Sequence, residues 1–505
     1  MAEQKDFETI LQRLEDEGQK IQFHPRVYDL GRVQQVGDGV ALVQGLDGVL
    51  LDEVVVFANG VKGHVFDLDR EVVGCLLYGP EEGITANCPV FRTGRPAAMP
   101  VGNALLGRVV DALGQPLDGL GPLSAVEERE VEQEAPGPLQ RQPIREPLFT
   151  GIKVVDAAIP IGLGQRELIL GDRGTGKTSI ALDAIINQRE SGLICIYVSI
   201  GKKRTSVVEV VGELRRHEAL NHTVLVVADA SDPPPLQYLA PYAGCTLAEW
   251  FAYQGKHVLV VYDDLTRHAE AYRDLSLVLR RPPGREAYPG DIFSVHAKLI
   301  ERAFKLSNPL GGGSVTALPI IETQRGNIAG FIPTNLISMT DGQLYLDTAL
   351  FAQGQLPAID VGKSVSRVGR DAQPGVMRDA AANLRLEVAQ YEEVKGFARF
   401  GAILDDATKR QISRGERLVH VLAQQERRVI SLTVQIAELW ALRMGLLDDM
   451  EPASITVFEH HLQELARDFA YLEAHIRSAS SVDERLAQDL RQWVARAKTQ
   501  VTANH

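Results

Sequence analysis

Gly171-Asp172-Arg173-Gly174-Thr175-Gly176-Lys177-Thr178 is a complete GxxxxGKT loop, and the residues on either side of it decide the fold. It follows the apolar run Leu168-Ile169-Leu170 and opens a helical stretch from Ser179 to Ile186. A strand, a glycine loop and a helix in that order let backbone N–H groups turn inward around phosphates. Lys177 adds a point charge at the β/γ oxygens, and the helix N-terminus adds its dipole. Thr178 supplies a hydroxyl to Mg²⁺. These eight residues are therefore expected to hold ATP or ADP with Mg²⁺. Such a loop needs an acidic residue at the end of a buried strand, holding the metal through water. The run His257-Val258-Leu259-Val260-Val261-Tyr262 ending in Asp263 and Asp264 fits, with Asp263 the preferred metal partner and Asp264 the second.

Outward from the loop, the chain changes texture three times. Between about 96 and 373, strand-like runs alternate with helix-length segments, the pattern of a parallel α/β sheet. The predicted strands are Glu167 to Leu170, Leu193 to Val198, Thr223 to Ala228 and Val258 to Tyr262. The acidic run Glu127 to Glu130 reads as a solvated face before that sheet. Residues 25–95 hold short β-rich pieces such as Val40–Val43, Val54–Phe57 and Val72–Leu77 between turn signals at Gly37-Asp38-Gly39 and Ala58-Asn59-Gly60. They predict a small β-barrel or sandwich. From 374 to 505 the pattern is helical. Ile455, Phe458, Leu462, Leu465, Phe469, Leu472 and Ile476 alternate at spacings of three and four, predicting one long amphipathic helix in a packed bundle. A shorter stripe, Val429, Leu432, Ile436 and Leu439, precedes Pro452. Residues 1–24 read as a short polar helix, either packed on its own domain or protruding as an arm toward a partner.

Charge and composition narrow the function. The 505 residues carry 53 Lys and Arg against 66 Asp and Glu, a net −13, with 45 Gly and 25 Pro near ordinary globular usage. A pI near 5.5 argues against a general nucleic-acid binder. Cys75, Cys88, Cys195 and Cys245 form no CxxC pair, as expected of reduced thiols. The start, MAEQKDFETI, has no apolar h-region, so no signal peptide is expected. No apolar run approaches the ~18–20 residues that cross a bilayer.

Beyond the loop, several long segments stand in a recognisable order. They are Gly107 to Gly114, Thr150 to Asp156, Ile161 to Glu167, Arg281 to Asp291, Ala317 to Pro319, Ile332 to Asn335 and Pro357 to Arg367. With them the chain resembles the alpha subunit of F-type ATP synthases over nearly its whole length. The resemblance implies an N-terminal β-barrel, a central RecA-like P-loop nucleotide-binding domain and a C-terminal α-helical bundle. It implies a ring of three alpha and three beta chains around a central rotary shaft, with peripheral stalk subunits at the N-terminal region. The membrane sector would be engaged indirectly, and no nucleic acid is expected. By the same resemblance the chain is a peripheral membrane protein at the cytoplasmic face of the plasma membrane, in a complex coupling ATP synthesis or hydrolysis to ion transport. Arg367 would be an arginine finger reaching the catalytic site of a neighbouring beta subunit, with Ser364 beside it, and Gln424 would lie at the nucleotide.

Two features qualify that picture. Beta-type chains place a water-orienting Glu in a Gly-Glu-Arg segment, where this chain has Gly201-Lys202-Lys203-Arg204. An ammonium at 202 is no carboxylate base, so this chain's own site is expected to be silent. Gly174 replaces the family's usual Gln, and Leu356-Pro357 replaces an Arg-Pro pair near the adenine. An RNA translocase of the RecA-like class would want a basic track with aromatics, and a type III secretion ATPase would want the Glu that Lys202 replaces. A structural ring subunit with an empty site is a further alternative.

Overall fold

The computed structural model describes residues 30–398 and 405–503. The expected arm at 1–24 lies outside the described residues. The chain divides into two compact units, Met1–Arg95 and Pro96–His505.

The first unit is a closed six-stranded barrel. Its strands are β1 (Leu30–Gly37), β2 (Val40–Gln44), β3 (Glu53–Phe57), β4 (Lys62–Leu68), β5 (Val73–Leu77) and β6 (Pro89–Pro96), in the order β1-β2-β5-β4-β3-β6. Closure of β6 on β1, with Gly31 opposite Val90, settles barrel over sandwich. Asp38 and Gly39, both at positive φ, make the tight hairpin between β1 and β2 that the Gly-Asp-Gly signal predicts. Alternation in β3 turns Val55 and Phe57 inward onto Val33, Val43, Val65 and Val90. Glu53 shares that face and is buried with its charge met by Arg92 at 3.0 and 2.9 Å and by the Leu50 and Gly94 N–H groups at 3.1 and 3.0 Å.

The second unit is built on a nine-stranded sheet. The strands that position the site are β7 (Val109–Asp111), β8 (Glu167–Asp172), β9 (Ile194–Lys202), β10 (Thr223–Asp229), β11 (His257–Asp263), β12 (Ser314–Thr323), β13 (Gly342–Leu346) and β14 (Val365–Ser366). Their order is β14-β13-β8-β12-β11-β9-β10-β7, with Phe304–Lys305 added antiparallel to β12. From β13 to β7 every neighbour is parallel, and β14 runs antiparallel. Helices α1 (Lys177–Ile186), α2 (Arg204–Arg216), α3 (Pro234–Ala252) and α4 (Leu265–Val278) connect these strands. Because β8, β9, β11 and β12 are parallel, their carboxyl ends open on one crevice, where ligands of α/β sheets bind.

All four predicted strands of this sheet are present, each slightly longer than its apolar run. The strand between β8 and β11 was not predicted. β12 is almost wholly buried, but Pro319 sits inside it, pairing with Tyr262. A proline within a run is ordinarily a signal against a central strand, and here β12 holds it in the middle of the sheet. The acidic run Glu127–Glu130 is largely exposed as expected, but as a strand paired with Ala98–Val101.

The C-terminal helices are α5 (Leu384–Ala398), α6 (Asp406–Leu422), α7 (Leu432–Arg443), α8 (Ile455–Leu465), α9 (Leu472–Ser478) and α10 (Glu484–Ala503). The long helix expected from Ile455 is broken into α8 and α9. Through residues 466–473 most backbone N–H groups bond the carbonyl three residues back, as from Phe469 to Ala466 and from Leu472 to Phe469. This 3₁₀-type tightening keeps the stripe in register, so Phe458, Leu462, Phe469, Leu472 and Ile476 are all buried. Phe469 stacks on Trp493 of α10 at 5.1 Å.

One apolar core runs from α1 and the sheet into these helices. A buried ion cluster crosses the same seam. Lys153 donates from Nζ to Glu438 of α7 at 3.2 Å and to Glu459 of α8. Burial pushes Glu438 up to about 7 against the pull of Lys153. Removing the cation would leave two carboxylates facing each other without water. Lys153→Met should destabilise the fold by about 3–5 kcal/mol, read as a lowered thermal midpoint, and Glu438→Gln added to it should restore part of the loss.

Two histidines give the same unit a pH dependence. His268 Nδ1 meets His296 Nε2 at 3.2 Å, both fully buried, and His268 Nε2 faces the Tyr238 carbonyl at 3.1 Å. Burial lowers His268 to about 4 and His296 well below the usual histidine range. Unfolded histidines protonate near 6.5. The unfolded chain therefore binds more protons as pH falls, and stability is lost from about pH 6.5 down through about 4. Thermal midpoints measured across that window should fall in wild type and fall less steeply in His296→Leu.

Candidate nucleotide site

The loop after β8 is shaped by its glycines. Gly174 and Gly176 take φ of 79° and 95°, a left-handed backbone that other residues rarely adopt. A side chain at 174 would meet nothing within 4 Å, so the requirement there is conformational. Asp172 and Thr175 shape the loop with their side chains. Thr175 Oγ1 donates to the Asp172 carbonyl at 2.8 Å. The Asp172 carboxylate accepts from Thr323 at 2.7 Å, the Gly326 N–H at 2.8 Å and Thr348 at 3.2 Å, tying the loop to the ends of β12 and β13. Arg173 is exposed. Lys177 is buried, with Nζ donating to the Gly171 and Asp172 carbonyls at 2.7 and 2.6 Å. Burial lowers its pKa, while Glu322, Asp264 and Asp263 favour its charge.

Across the crevice, Asp263 ends β11. Its Oδ2 accepts from Thr178 Oγ1 at 2.8 Å and from the Tyr197 hydroxyl at 2.6 Å. Thr178 and Asp263, the two residues expected at the metal, thus lie side by side. Its Oδ1 lies 2.8 Å from Lys202 Nζ, and the same ammonium lies 2.8 Å from Asp264 Oδ2. Burial alone would push Lys202 down, but Asp263 and Asp264 outweigh it and hold the ammonium above the ordinary lysine range. Lys202 reaches them because β9 bulges between Ile200 and Lys202, with Gly201 at φ 62°. A bulge re-aims the next side chain, here toward β11. Asp264 is committed elsewhere: its Oδ1 caps α4 by accepting from the Arg267 N–H at 2.9 Å. Its Oδ2 is on Lys202, and Thr178 bonds Asp263 rather than Asp264.

Thr178, Tyr197, Ser199, Lys202, Asp263 and Arg427 line one cavity of ≈ 660 Å³, within the range of small-molecule sites. Tyr197 and Arg427 were not predicted. Tyr197 lies two residues before Ser199 on the same face of β9, and a buried tyrosine hydroxyl needs a partner, which is the signal that could have found it. Arg427 follows α6 and bonds Asp183 of α1 through its N–H and Nη1, both at 3.0 Å. No local periodicity marks it.

The expected base end is narrow. Ile152, Leu346, Leu356, Pro357 and Glu426 enclose only ≈ 20 Å³, room for about one water. Gln424 lines this slot, but its amide is spent on the backbone. It accepts from the Lys153 N–H at 2.9 Å and donates to the Gly151 and Arg428 carbonyls, both at 2.7 Å.

Arg367 lies elsewhere. It follows β14, whose Ser366 pairs with Gly342 at the start of β13, and Gly342 pairs with Glu167 at the start of β8. The P-loop leaves the other end of β8. Six strand residues separate the two ends by about 17 Å, so Arg367 faces away from its own loop. It is exposed, and its guanidinium has no hydrogen-bond or ion-pair partner among the described residues. Its backbone is fixed by the Asp341 carbonyl at 2.7 Å. Ser364 requires a correction. It is 0% exposed, donates to the Asp360 carbonyl at 2.7 Å and accepts from the Tyr345 N–H at 2.9 Å. A side chain sealed on both sides touches no substrate, so Ser364 is a positioning residue for the loop that carries Arg367.

A β-barrel followed by this loop, sheet and helical bundle has a counterpart in known proteins. Models of the ATP synthase alpha/beta family match its β-barrel domain at residues 27–94, its nucleotide-binding domain at 151–366 and its C-terminal domain at 373–497. The chain belongs to the ATP synthase alpha/beta family. It is thereby a nucleotide-binding subunit of an ATP synthase or ATPase complex, a hetero-oligomeric ring. Within this family site, Ser364→Ala should lower stability by about 1–3 kcal/mol through its two orphaned partners. Turnover of the complex should stay within a few-fold of wild type, a split checked by thermal unfolding beside steady-state ATPase assays.

Proposed function

We propose that this chain is the non-catalytic, alpha-type subunit of an F-type ATP synthase, binding ATP or ADP at its own P-loop and lending Arg367 to a neighbouring beta subunit. The observation that carries this reading is Lys202 between Asp263 and Asp264, because hydrolysis needs a group that orients or activates water there. An ammonium held in its charged form by two carboxylates accepts no proton.

The donor set supports Mg²⁺ through Thr178 Oγ1 and Asp263 Oδ2, with the metal supplying charge compensation at the phosphates when bound. The free guanidinium of Arg367, about 17 Å of strand away from its own loop, supports action in trans. Such a finger stabilises transition-state charge and contributes ~10³-fold or more in rate. In this reading the chain alternates with beta subunits around a central rotary shaft, meets peripheral stalk subunits through its N-terminal region, and sits at the cytoplasmic face of the plasma membrane, coupled to ion transport. A structural ring subunit that rarely holds nucleotide is the second reading, favoured by the narrow slot beside Leu356 and Pro357.

Arg367→Lys should leave assembly and nucleotide retention intact while cutting turnover of the assembled complex ~10³-fold, measured on purified complex beside its nucleotide content after acid release. Near-wild-type turnover would refute the finger. Hydrolysis by the full chain without beta subunits, abolished by Lys177→Ala, would refute the silent site.

A further inference from the structure

Two adjacent histidines stand near the end of α8, a helix that takes no part in the nucleotide site. His461 Nδ1 lies 2.8 Å from Glu464 Oε2, and His460 Nδ1 lies 3.5 Å from Glu464 Oε1. The histidines precede the carboxylate by three and four residues, the spacings at which helix side chains meet. One ligand atom from each of the three lies within 4.8 Å of the other two, and among the described residues no other trio of His, Cys, Asp or Glu comes as close. Two ligand atoms on one tetrahedral zinc stand about 3.3 Å apart, given bonds of about 2.0–2.2 Å. The two His–Glu separations bracket that value. The third closes by a turn of His460, whose side chain is 60% exposed.

The backbone beneath is held in place. Phe458 and Leu462 are fully buried, and the Leu462 carbonyl accepts from Trp493 Nε1 of α10 at 3.2 Å. The Ala466 N–H bonds the Gln463 carbonyl at 3.1 Å, and α8 ends at Leu465, one residue past Glu464. A cation in the last turn of a helix gains from the negative end of its dipole. Glu464 brings a full charge, since its bond to His461 holds the carboxyl below the usual carboxylate range.

We infer that His460, His461 and Glu464 form a metal site on the C-terminal helices, separate from the phosphate loop, for a borderline transition-metal dication such as Zn²⁺. Two imidazoles and one carboxylate suit Zn²⁺, whereas Mg²⁺ takes oxygen ligands. Three protein ligands leave a fourth position to water. The ion stands where the bond between His461 and Glu464 now holds a proton, so the ligands are already gathered before the metal arrives.

The test is isothermal titration of ZnCl₂ into the full chain in the presence of excess MgCl₂, which competes for the oxygen ligands at the phosphate loop. Wild type should bind Zn²⁺ with a Kd of about 50 µM or tighter. Glu464→Gln, and separately His460→Ala at an exposed position, should each weaken that binding by about 5-fold or more. Smaller losses in both variants would place the zinc elsewhere and overturn the inference. So would a wild-type Kd weaker than about 50 µM, a result that stands whether or not any variant folds.

Discussion

Asp263 is a carboxylate with 1% exposure at the end of a buried strand, and everything around it exists to satisfy it. A charge so placed is costly unless paired and hydrogen-bonded. The fold supplies the partners from two elements: Thr178 from the first turn of α1, and Tyr197 and Lys202 from β9, the latter at its terminal bulge. Each partner depends on strand order. β9 pairs directly with β11, bringing Ser199 opposite Asp263, while β12 separates β11 from the loop-bearing β8 and sets the width of the crevice. The site is a consequence of register.

That dependence separates what the sequence discloses from what it hides. The loop is local: eight contiguous residues between a strand and a helix, each constrained by backbone or charge. Asp263 is legible because an apolar run ending in an acid is a one-dimensional pattern. The bond between Thr178 and Asp263 could be anticipated from chemistry alone, because a loop hydroxyl and an acid share one metal. Tyr197, Asp183 and Arg427 carry no such pattern, because their partners lie far along the chain and meet only through pairing and packing. β12 was not among the predicted strands, and its internal Pro319, which offers no N–H, is tolerated in a sheet whose neighbours pair with it on both sides. The helix after Ile455 shows the reverse error: the face was legible, while the break was not, because a change from four- to three-residue closure preserves the stripe.

The placement of Arg367 follows from the same geometry. A strand has two ends, and six residues of β8 put the phosphate loop at one and the neighbourhood of Arg367 at the other. Ser364, Asp360 and Tyr345 lock the loop that carries Arg367, and Arg385 of α5 adds a bond to the Ser364 carbonyl at 2.8 Å. The backbone is therefore rigid where the guanidinium is free. The rigid backbone fixes where the side chain starts, while the exposed guanidinium keeps its rotamer freedom, which any partner that binds it has to order.

The seam between nucleotide domain and helical bundle is polar where a simple core would be apolar. Gln424 stitches Gly151 and Lys153 to the chain after α6, Arg427 reaches back to Asp183 on the helix that opens at the phosphate loop, and Lys153 sits between Glu438 and Glu459. Apolar contacts alone would let this seam slide with little change in energy. Directional bonds to specific carbonyls and carboxylates allow one arrangement only, since any shift leaves a buried group unpaired. The helix whose N-terminus meets the phosphates is thus joined by a stiff polar lattice to the C-terminal helices. A change at the nucleotide that moves α1 has to move that lattice or break it, and the buried charges make breaking the costlier course.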